Sequence, residues 1–532
     1  MSCLYAHNLS VSFADGQSLF TGISFSLSKP ITALIGDNGS GKSLLAKFLA
    51  GKDPGTDCSV GGSVSVSEPV CYLPQINEDM LHSSSCSIAD YLGYSAKIEA
   101  LARIASGSVK EEDFELVGND WLIEEQLKSQ LKQLCLPENY ALPCSCLSGG
   151  QLARLQLFRI FRDAEGLLIL DEPSNHLDAA GKQWLLEQMV SFAGHILIVS
   201  HDRELLTHVD EIMVLGNGNL SVYGGNYKTY AEQFAFEQAA KVRQLEHAVK
   251  SEKKLVRNHQ DNESKAATRI KQGRKLSLSG SQSPILMGAM KRAAQGSAGA
   301  RKAKFEKKRN EIQDKISDLK AKLPEDAQLK LTLGKVEKRI NRILDINGLE
   351  LPFPPATDSK AKISFSLDYG DKLHLKGPNG CGKSSLLKTI AGIHQQYSGE
   401  IICRDRVCYL DQHFSLLSHQ DSALDNLLRL CPKQSKTDLR TLLAGIGLKG
   451  ERAFQSLNTL SGGEKMKVAM LAVSHQGSDS LLLLDEPDNH LDMKSKKHLS
   501  GLLSAYPGPF ILVSHDSFFV DDSGITKELC LT

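Results

Sequence analysis

The stretch Gly36-Asp-Asn-Gly-Ser-Gly-Lys-Ser43 occurs a second time in the chain, as Gly377-Pro-Asn-Gly-Cys-Gly-Lys-Ser384. Both copies fit the pattern G-x-x-x-x-G-K-[ST], and each lies between an apolar run and a helical pattern. Glycines let the backbone wrap around a polyphosphate, the N–H groups at the helix start face the anion, and the lysine adds a positive charge. A glycine-rich turn before a helix is the simpler alternative, but it does not explain two complete matches in this context. We therefore predict two phosphate-binding loops.

The predicted nucleotide-binding residues include every position of these loops: Gly36, Asp37, Asn38, Gly39, Ser40, Gly41, Lys42 and Ser43, and Gly377, Pro378, Asn379, Gly380, Cys381, Gly382, Lys383 and Ser384. The hydroxyl groups of Ser43 and Ser384 are placed to ligate Mg²⁺. Cys381 occupies a position of the loop that takes a small residue. We favour this structural explanation for the cysteine over redox control of the loop.

Further motifs follow each loop in the same order. A short strand ends in glutamine, and a Leu-Ser-Gly-Gly motif comes next. An apolar run ending in Asp-Glu, the sequence Asn-His-Leu-Asp and a strand followed by histidine complete the set. The residues are Gln75, Ser148, Gly149, Gly150, Gln151, Asp171, Glu172 and His201 in the first copy, and Gln412, Ser461, Gly462, Gly463, Glu464, Asp485, Glu486 and His515 in the second.

The spacing of these motifs indicates a duplicated domain. Glu172 and Glu486 are 314 residues apart, and so are His201 and His515. From glutamine to LSGG serine the first copy spans 73 residues (75 to 148) and the second 49 (412 to 461), so the first carries 24 extra residues. We predict two domains at 1–228 and 341–532, with a small helical insertion at about 95–130 in the first.

The segment between the copies, 229–340, is rich in helix formers and strongly basic. From Lys241 to Lys322 there are 22 Lys and Arg residues against 8 Asp and Glu, a net charge of +14 in a chain whose total is zero. Turn residues around 276–284 and 294–299 predict two long antiparallel helices joined by a loop. Ile312, Ile316, Leu319 and Leu323 keep the spacing of one helix packing on another. A solvated, partly disordered linker is the alternative.

Composition narrows the class of protein. The apolar runs are strand-sized, well short of the ~20 apolar residues of a membrane helix, and the N-terminus has no secretory signal pattern. The chain has 12 cysteines and no C-x-x-C pair, which disfavours a zinc or iron–sulfur site. We expect a reduced, cytoplasmic setting.

The ordered motifs closely resemble those of ATP-binding-cassette (ABC) ATPase domains. Two cassettes in one chain, Asn-His-Leu-Asp in both, the charged linker and the stretch Val222 to Tyr230 before it resemble the F subfamily, a soluble, translation-associated branch. This resemblance implies an α/β fold with two tandem ABC-type P-loop ATPase domains joined by a helical-hairpin linker. It also implies ATP hydrolysis with Mg²⁺. Glu464 replaces the glutamine of the LSGGQ pattern, a common departure in second cassettes of this group.

The resemblance implies a role for each motif. Two cassettes close head to tail, so that one ATP lies between Lys42/Ser43 and Ser461 to Gly463, and the other between Lys383/Ser384 and Ser148 to Gly150. Asp171 and Asp485 are implied to bind Mg²⁺, and Gln75 and Gln412 to approach the metal and the attacking water. Glu172 and Glu486 are implied to act as general bases, and His201 and His515 to contact the γ-phosphate. The adenines are implied to stack on Phe13 and Phe353. Because neither copy lacks the lysine or the glutamate, we expect both sites to hydrolyse ATP.

The basic linker indicates a phosphate-rich partner, and the resemblance implies the ribosome, with its rRNA and tRNA. We expect a monomer with intramolecular cassette pairing that binds the ribosome with ATP and leaves after hydrolysis, as a housekeeping factor or one that displaces antibiotics. A tandem-cassette ATPase subunit of a membrane importer is the alternative. A DNA-repair or chromosome-associated cassette ATPase is disfavoured, since zinc-ligand cysteines and long coiled-coil arms are missing.

Overall fold

The structure is a computed structural model. It describes the chain except residues 1, 14–17, 54–57, 76–85, 176, 217, 279–302, 320–341, 352–361, 412–413, 433, 461, 477–479, 490 and 532. The predicted site residues Phe353, Gln412 and Ser461 lie outside the described residues, as does the predicted boundary at 340/341. The chain divides into two compact units, one of Met1–Tyr227 with Ala327–Thr532 and one of Lys228–Asp326.

The first cassette contains two sheets. A three-stranded antiparallel sheet has the order β2-β1-β4, and a six-stranded sheet has the order β5-β6-β7-β3-β8-β9, in which only β9 is antiparallel to its neighbour. The strands are β1 Leu4–Phe13, β2 Ser18–Leu27, β3 Ile31–Gly36, β4 Cys58–Val66, β5 Val70–Leu73, β6 Leu167–Asp171, β7 His195–Val199, β8 Glu211–Gly216 and β9 Asn219–Gly224.

The described part of the second cassette repeats this plan with one strand fewer. The antiparallel sheet has the order β11-β10-β13, and the parallel sheet the order β14-β15-β16-β12-β17. The strands are β10 Arg342–Glu350, β11 Ile363–Asp368, β12 Lys372–Lys376, β13 Ser398–Cys403, β14 Val407–Leu410, β15 Leu481–Asp485, β16 Phe510–Val513 and β17 Lys527–Cys530.

Helices flank the parallel sheets. In the first cassette they are α1 Lys42–Leu49, α2 Ile88–Leu92, α3 Ser95–Ala105, α4 Glu111–Val117, α5 Ile123–Gln133, α6 Gly149–Asp163, α7 Ala179–Ser191 and α8 Arg203–Leu206. After the linker helices α9 Tyr227–Leu278 and α10 at residues 303–319, the second cassette has α11 Lys383–Ile390, α12 Ala423–Leu430, α13 Lys436–Gly445, α14 Gly462–Gln476, α15 Met493–Ala505 and α16 Ser517–Asp522. Short 3-10 turns lie at Cys144–Cys146, Gly450–Phe454 and Leu457–Thr459.

Burial explains why the apolar runs form central strands. Every residue of β6 and of β15 is buried, and both strands are continuous runs of Leu and Ile that end in Asp. A parallel strand covered on both faces has this composition. The carboxyl ends of β3, β5, β6 and β7 therefore place the motif residues at one edge of the sheet, where open α/β sheets bind ligands. The predicted α/β class with a duplicated domain is confirmed, since both halves contain a parallel sheet and a three-stranded antiparallel sheet of similar order.

The unit Lys228–Asp326 is helical where it is described. Helix α9, Tyr227–Leu278, has 52 residues and is therefore about 78 Å long, and residues 303–319 form α10. The Gln313 amide donates to Glu252 at 2.9 Å, and the His259 and Phe305 rings stack at 3.8 Å, so the two helices run antiparallel. Ile316 is buried, which agrees with the spacing that predicted helix-on-helix packing. The connection between the helices lies outside the described residues.

No helix within the described residues is long and apolar enough to cross a membrane.

Candidate functional site

Each phosphate loop is curled around its own lysine. In the first cassette Lys42 Nζ donates to the carbonyl oxygens of Gly36 at 2.9 Å and Asp37 at 3.0 Å. Gly41 precedes α1 with a φ of 94°, a left-handed conformation that glycine adopts without strain. Lys383 makes the equivalent bonds in the second loop, at 2.8 and 2.9 Å. The ammonium group therefore lies at the centre of each loop, where it can reach a bound phosphate.

The carboxylate at the end of each central strand contacts the loop serine. Asp171 accepts from the Ser43 hydroxyl at 3.2 Å, and Asp485 from Ser384 at 3.0 Å. Each carboxylate also accepts from a tyrosine that the sequence analysis missed, Tyr72 at 3.4 Å and Tyr409 at 2.9 Å. These tyrosines are 337 residues apart, the same offset as the predicted glutamines, and this shared register could have identified them.

The two catalytic candidates Glu172 and Glu486 have an unusual backbone. Their φ angles are 50° and 49°, in the left-handed region that few residues other than glycine adopt. In each cassette the carboxylate faces the predicted histidine, with Glu172 at 3.6 Å from His201 and Glu486 at 3.7 Å from His515. Non-glycine residues held in this region cluster at functional sites, since surrounding structure must stabilise the strain.

Burial shifts the pKa values of these glutamates and histidines in opposite directions, because it disfavours the charged form of each. It raises the pKa of Glu172, and it raises the pKa of Glu486 to about 7. It lowers the pKa of His201 to about 3 and that of His515 to about 4, and the nearby loop lysine acts in the same direction on each histidine. Both histidines are therefore neutral at neutral pH. A carboxylate with a pKa near neutrality suits general-base chemistry.

Residues of both cassettes line one cavity of about 510 Å³. From the first cassette it includes Phe13, Lys42, Ser43, Gln75, Glu172 and His201, and from the second Glu486, Asp488, Lys496, His515 and Asp516. The structure thus brings most of the predicted residues of the first site together. It also places the glutamate and histidine of the second site against the same cavity.

Reciprocal hydrogen bonds join the two cassettes. The Asn38 main-chain N–H donates to Asp492 Oδ2 at 3.0 Å, and the Asn379 N–H donates to Asp178 Oδ2 at 3.1 Å. Each aspartate ends an Asn-His-Leu-Asp motif and also caps the following helix, by accepting from Ser495 N at 2.8 Å and from Gly181 N at 2.9 Å. Lys494 adds an ion pair with Asp37 at 2.7 Å. Each phosphate loop therefore contacts the opposite cassette.

The LSGG motifs start helices. Ser148 caps α6 and forms a capping box with Gln151, in which each side chain accepts from the other residue's main-chain N–H. In the second copy Gly463 lies so close to Ser495 that a Cβ on the glycine would approach its Oγ to 2.6 Å. Glu464, at the position equivalent to Gln151, forms an ion pair with Arg452 at 2.9 Å.

Two independent features fit a bound Mg²⁺-triphosphate. The hydroxyl and carboxylate oxygens of Ser43 and Asp171 are the hard ligands that Mg²⁺ takes alongside phosphate oxygens and water. Among the described residues, Ser40 Oγ and both ring nitrogens of His201 are buried without a hydrogen-bond partner, as is His515 Nε2. Buried polar atoms are nearly always satisfied, so these atoms call for a polar ligand.

Residues 20–175 and 361–489 match the family described as ABC transporter, and together these segments cover more than half of the chain. The chain belongs to this family. Both matches contain the ABC phosphate loop, so the duplication seen in the sequence is a duplication of the ABC cassette.

Curated relatives narrow the ABC assignment. ATP-binding protein Uup of Escherichia coli (strain K12) is 29% identical over 98% of this chain and 79% of its own length. Energy-dependent translational throttle protein EttA of Mycobacterium tuberculosis (strain ATCC 25618 / H37Rv) is 28% identical over 92% of this chain and 84% of its own. ABC transporter F family member 5 of Arabidopsis thaliana is 25% identical over 92% and 69%. The chain is an ABC ATPase of the tandem-cassette F subfamily.

Solved structures share the ABC fold along nearly the whole chain. A chain in the crystal structure of the complex of archaeal ribosomal stalk protein aP1 and archaeal ribosome recycling factor aABCE1 matches with a TM-score of 0.57 and 17% identity, covering 99% of this chain and 87% of that one. The structure titled RNase-L Inhibitor matches with a TM-score of 0.53 and 16% identity, covering 97% and 86%. At these identities the likeness concerns the fold alone.

Proposed function

We propose that this ABC-F ATPase hydrolyses ATP at two sites that each need both cassettes, and that ATP-driven pairing of the cassettes controls its binding to the ribosome. The reciprocal Asn38–Asp492 and Asn379–Asp178 hydrogen bonds carry this proposal. Each joins the amide of one phosphate loop to the carboxylate of the other cassette. A phosphate loop whose geometry depends on the partner cassette couples nucleotide binding to pairing.

The residues of each site divide the chemistry between them. Lys42 and the amides of its loop bind the β- and γ-phosphates, as Lys383 does in the second site. Ser43 with Asp171, and Ser384 with Asp485, would hold Mg²⁺, which when bound would neutralise charge on the phosphates. Gln75 and Gln412 approach the metal and water.

Glu172 and Glu486 accept a proton from the attacking water. His201 and His515 stay neutral and donate toward the γ-phosphate. The LSGG serines and glycines of the opposite cassette supply further donors, and Phe13 and Phe353 stack on the adenines.

The partner follows from charge and from the relatives. The residues from Lys241 to Lys322 carry a net charge of +14, and in α10 Lys304, Lys307 and Lys308 are exposed. A basic helical surface without a base-reading motif suits the phosphates of folded RNA. The relative EttA is a translational throttle protein by name. We infer that a monomer in the cytoplasm binds ribosomal RNA and tRNA through the linker, toward the peptidyl-transferase centre, and is released by hydrolysis.

Trapping the ATP-bound protein tests this function. Glu172→Gln with Glu486→Gln removes both general bases and leaves the phosphate loops intact. We expect this variant to sediment with ribosomes in a sucrose gradient when ATP is present and to run as free protein without it. The matched control adds Lys42→Ala and Lys383→Ala, which remove the phosphate contacts and should abolish ATP-dependent sedimentation. A trapped variant that runs with free protein in ATP would contradict the proposal.

A further inference from the structure

Two buried lysines lie at the cavity between the cassettes without a part in the chemistry above. Lys182 on α7 is 5% exposed, and Lys496 on α15 has a side chain that is 13% exposed. Both line the cavity, and they are 314 residues apart, the same offset as Glu172 and Glu486. A buried ammonium is costly unless it is paired. Their partners therefore show what the two lysines hold in place.

Lys182 bonds to both cassettes at once. Its Nζ pairs with Asp202 Oδ2 at 2.6 Å in its own cassette, and it donates to the main-chain carbonyl of His515 in the other at 2.8 Å. Asp202 follows His201 directly and caps α8 by accepting from Glu204 N at 2.9 Å. The lysine thus joins the loop after the first histidine to the backbone of the second histidine.

Lys496 is arranged differently, although its position is equivalent. It pairs with Asp516 at 2.7 Å, as Lys182 pairs with Asp202, but it also faces Asp488 at 3.8 Å. The first cassette has Ser174 where the second has Asp488, at the same 314-residue offset. Asp488 is 3% exposed and offers a second carboxylate within the lysine's own cassette. Within the described part of the chain, Lys496 makes no hydrogen bond to the His201 carbonyl.

The difference between Ser174 and Asp488 gives a physical reason for this asymmetry. A serine cannot attract an ammonium group as a carboxylate does, so Lys182 has spare donors that reach across to His515. In the second cassette Asp516 and Asp488 both attract Lys496, and Asp202 of the first cassette attracts it less strongly. The pairing of two similar cassettes therefore produces one lysine that hydrogen-bonds to the opposite cassette and one whose hydrogen bond and ion pairs lie within its own cassette.

We propose that Lys182 is a positioning residue for the second ATP site, where it holds the His515 backbone beside Glu486 when the cassettes pair. Turnover at the second site then depends on a residue of the first cassette, whereas among the described residues Lys496 makes no matching hydrogen bond to the first site. This inference rests on the proposed catalytic roles of Glu172 and Glu486 and adds a direction of control between the two sites.

Lys182→Met tests the inference when its ATP hydrolysis is measured in two backgrounds, each of which leaves one site active. With Glu172→Gln only the second site should hydrolyse ATP, and with Glu486→Gln only the first. We expect Lys182→Met to lower kcat about tenfold at the second site with little change in KM. A decrease of this size corresponds to the loss of one hydrogen bond from a charged donor. At the first site Lys182 contacts Asp202 and not the histidine backbone, so kcat should fall less there than at the second site.

A matched double variant separates positioning from stability. Lys182→Met leaves Asp202 buried without its counter-charge, which costs folding stability. Lys182→Met with Asp202→Asn removes that charge and keeps a side chain that caps α8. If the lysine positions His515, this double variant regains thermal stability but keeps the low kcat at the second site.

Three outcomes would contradict the proposal. Equal loss at both sites, undiminished turnover at the second site, or recovery of kcat together with thermal stability would each overturn the positioning role. A separate measurement shows whether the proposed function itself is wrong. In that case a protein with Glu172→Gln and Glu486→Gln would still hydrolyse ATP at the native rate.

Discussion

The main-chain N–H of Asn38 lies 3.0 Å from the Asp492 carboxylate, although 454 residues separate them in the chain. Asp492 also accepts from Ser495 N at 2.8 Å through its other oxygen, so a single carboxylate caps a helix and contacts the opposite phosphate loop. These hydrogen bonds from Asn38 and Ser495 hold the pKa of the Asp492 carboxyl group below its usual range. The charged form that makes both contacts is therefore favoured at neutral pH.

Asp492→Asn should separate these two contacts. An asparagine oxygen can still cap α15, but its amide nitrogen cannot accept from the Asn38 N–H. We expect ATPase activity at the first site to fall about tenfold, while the thermal midpoint changes little. Steady-state hydrolysis in a Glu486→Gln background measures the first site alone. Unchanged turnover there would show that the Asn38 contact does not contribute.

Tyr409→Phe should weaken Mg²⁺ binding at the second site. The hydroxyl donates to Asp485 at 2.9 Å, and groups that orient a metal ligand typically affect affinity 10- to 100-fold. We expect the Mg²⁺ concentration for half-maximal hydrolysis to rise about tenfold in a Glu172→Gln background. Tyr72→Phe in the opposite background is the matched control, and its longer 3.4 Å contact with Asp171 should give a smaller shift. Equal shifts for the two tyrosines would contradict the geometric argument.

The two buried histidines should make the nucleotide-free protein less stable in mild acid. Burial lowers the pKa of His201 to about 3 and of His515 to about 4, whereas unfolded histidine titrates near 6.5. Between these values the unfolded chain binds more protons, so their contribution to stability is complete above about pH 6.5 and is lost as pH falls. By about pH 5 the loss is up to about 2 kcal/mol for each histidine.

A double variant isolates this effect from that of other groups. His201→Gln with His515→Gln removes both titrations, so its free energy of unfolding should fall less than the native protein's between about pH 7 and pH 5. Carboxylates that titrate in the same range contribute to both proteins, and the difference between them reports the histidines. Identical pH profiles in chemical denaturation would rule out this contribution.

Charge reversal in the linker should weaken ribosome binding. Lys304, Lys307 and Lys308 are exposed on α10, and replacing them by Glu removes positive charge that would displace counterions from RNA. We expect weaker co-sedimentation of the ATP-trapped protein and a shallower dependence on salt. Replacing Lys29, Lys110 and Lys132 by Glu is the control, since these lysines are exposed on the first cassette. Equal weakening by both sets would show general electrostatics rather than a linker contact.

Much of the fold and site could be predicted because the signals are local. Phosphate-loop residues are contiguous, and the loop's function needs only the strand before it and the helix after it. The predicted linker helix is confirmed as α9. The domain boundaries and the role of each site residue stay predictions.

Other residues escaped the sequence analysis because their role depends on distant partners. Tyr72 and Lys182 are ordinary in isolation, and the Asn-His-Leu-Asp motif does not reveal which group Asp178 contacts. Only the folded chain brings these residues to Asp171, to His515 and to the Asn379 amide. Their identical counterparts at the register of the duplication, Tyr409, Lys496 and Asp492, were the available signal. Register alone would still have missed the asymmetry, since it treats Lys182 and Lys496 alike.

The sequence by itself therefore determined that this chain carries two ABC cassettes and a basic helical linker, because those features are written in contiguous motifs and in composition. Only the tertiary structure decided which carboxylate meets which phosphate loop, and which lysine bridges the cassettes. Hydrogen bonds form over about 3 Å, and burial shifts a pKa only where other chain segments exclude water. Both conditions are created when residues hundreds of positions apart pack together.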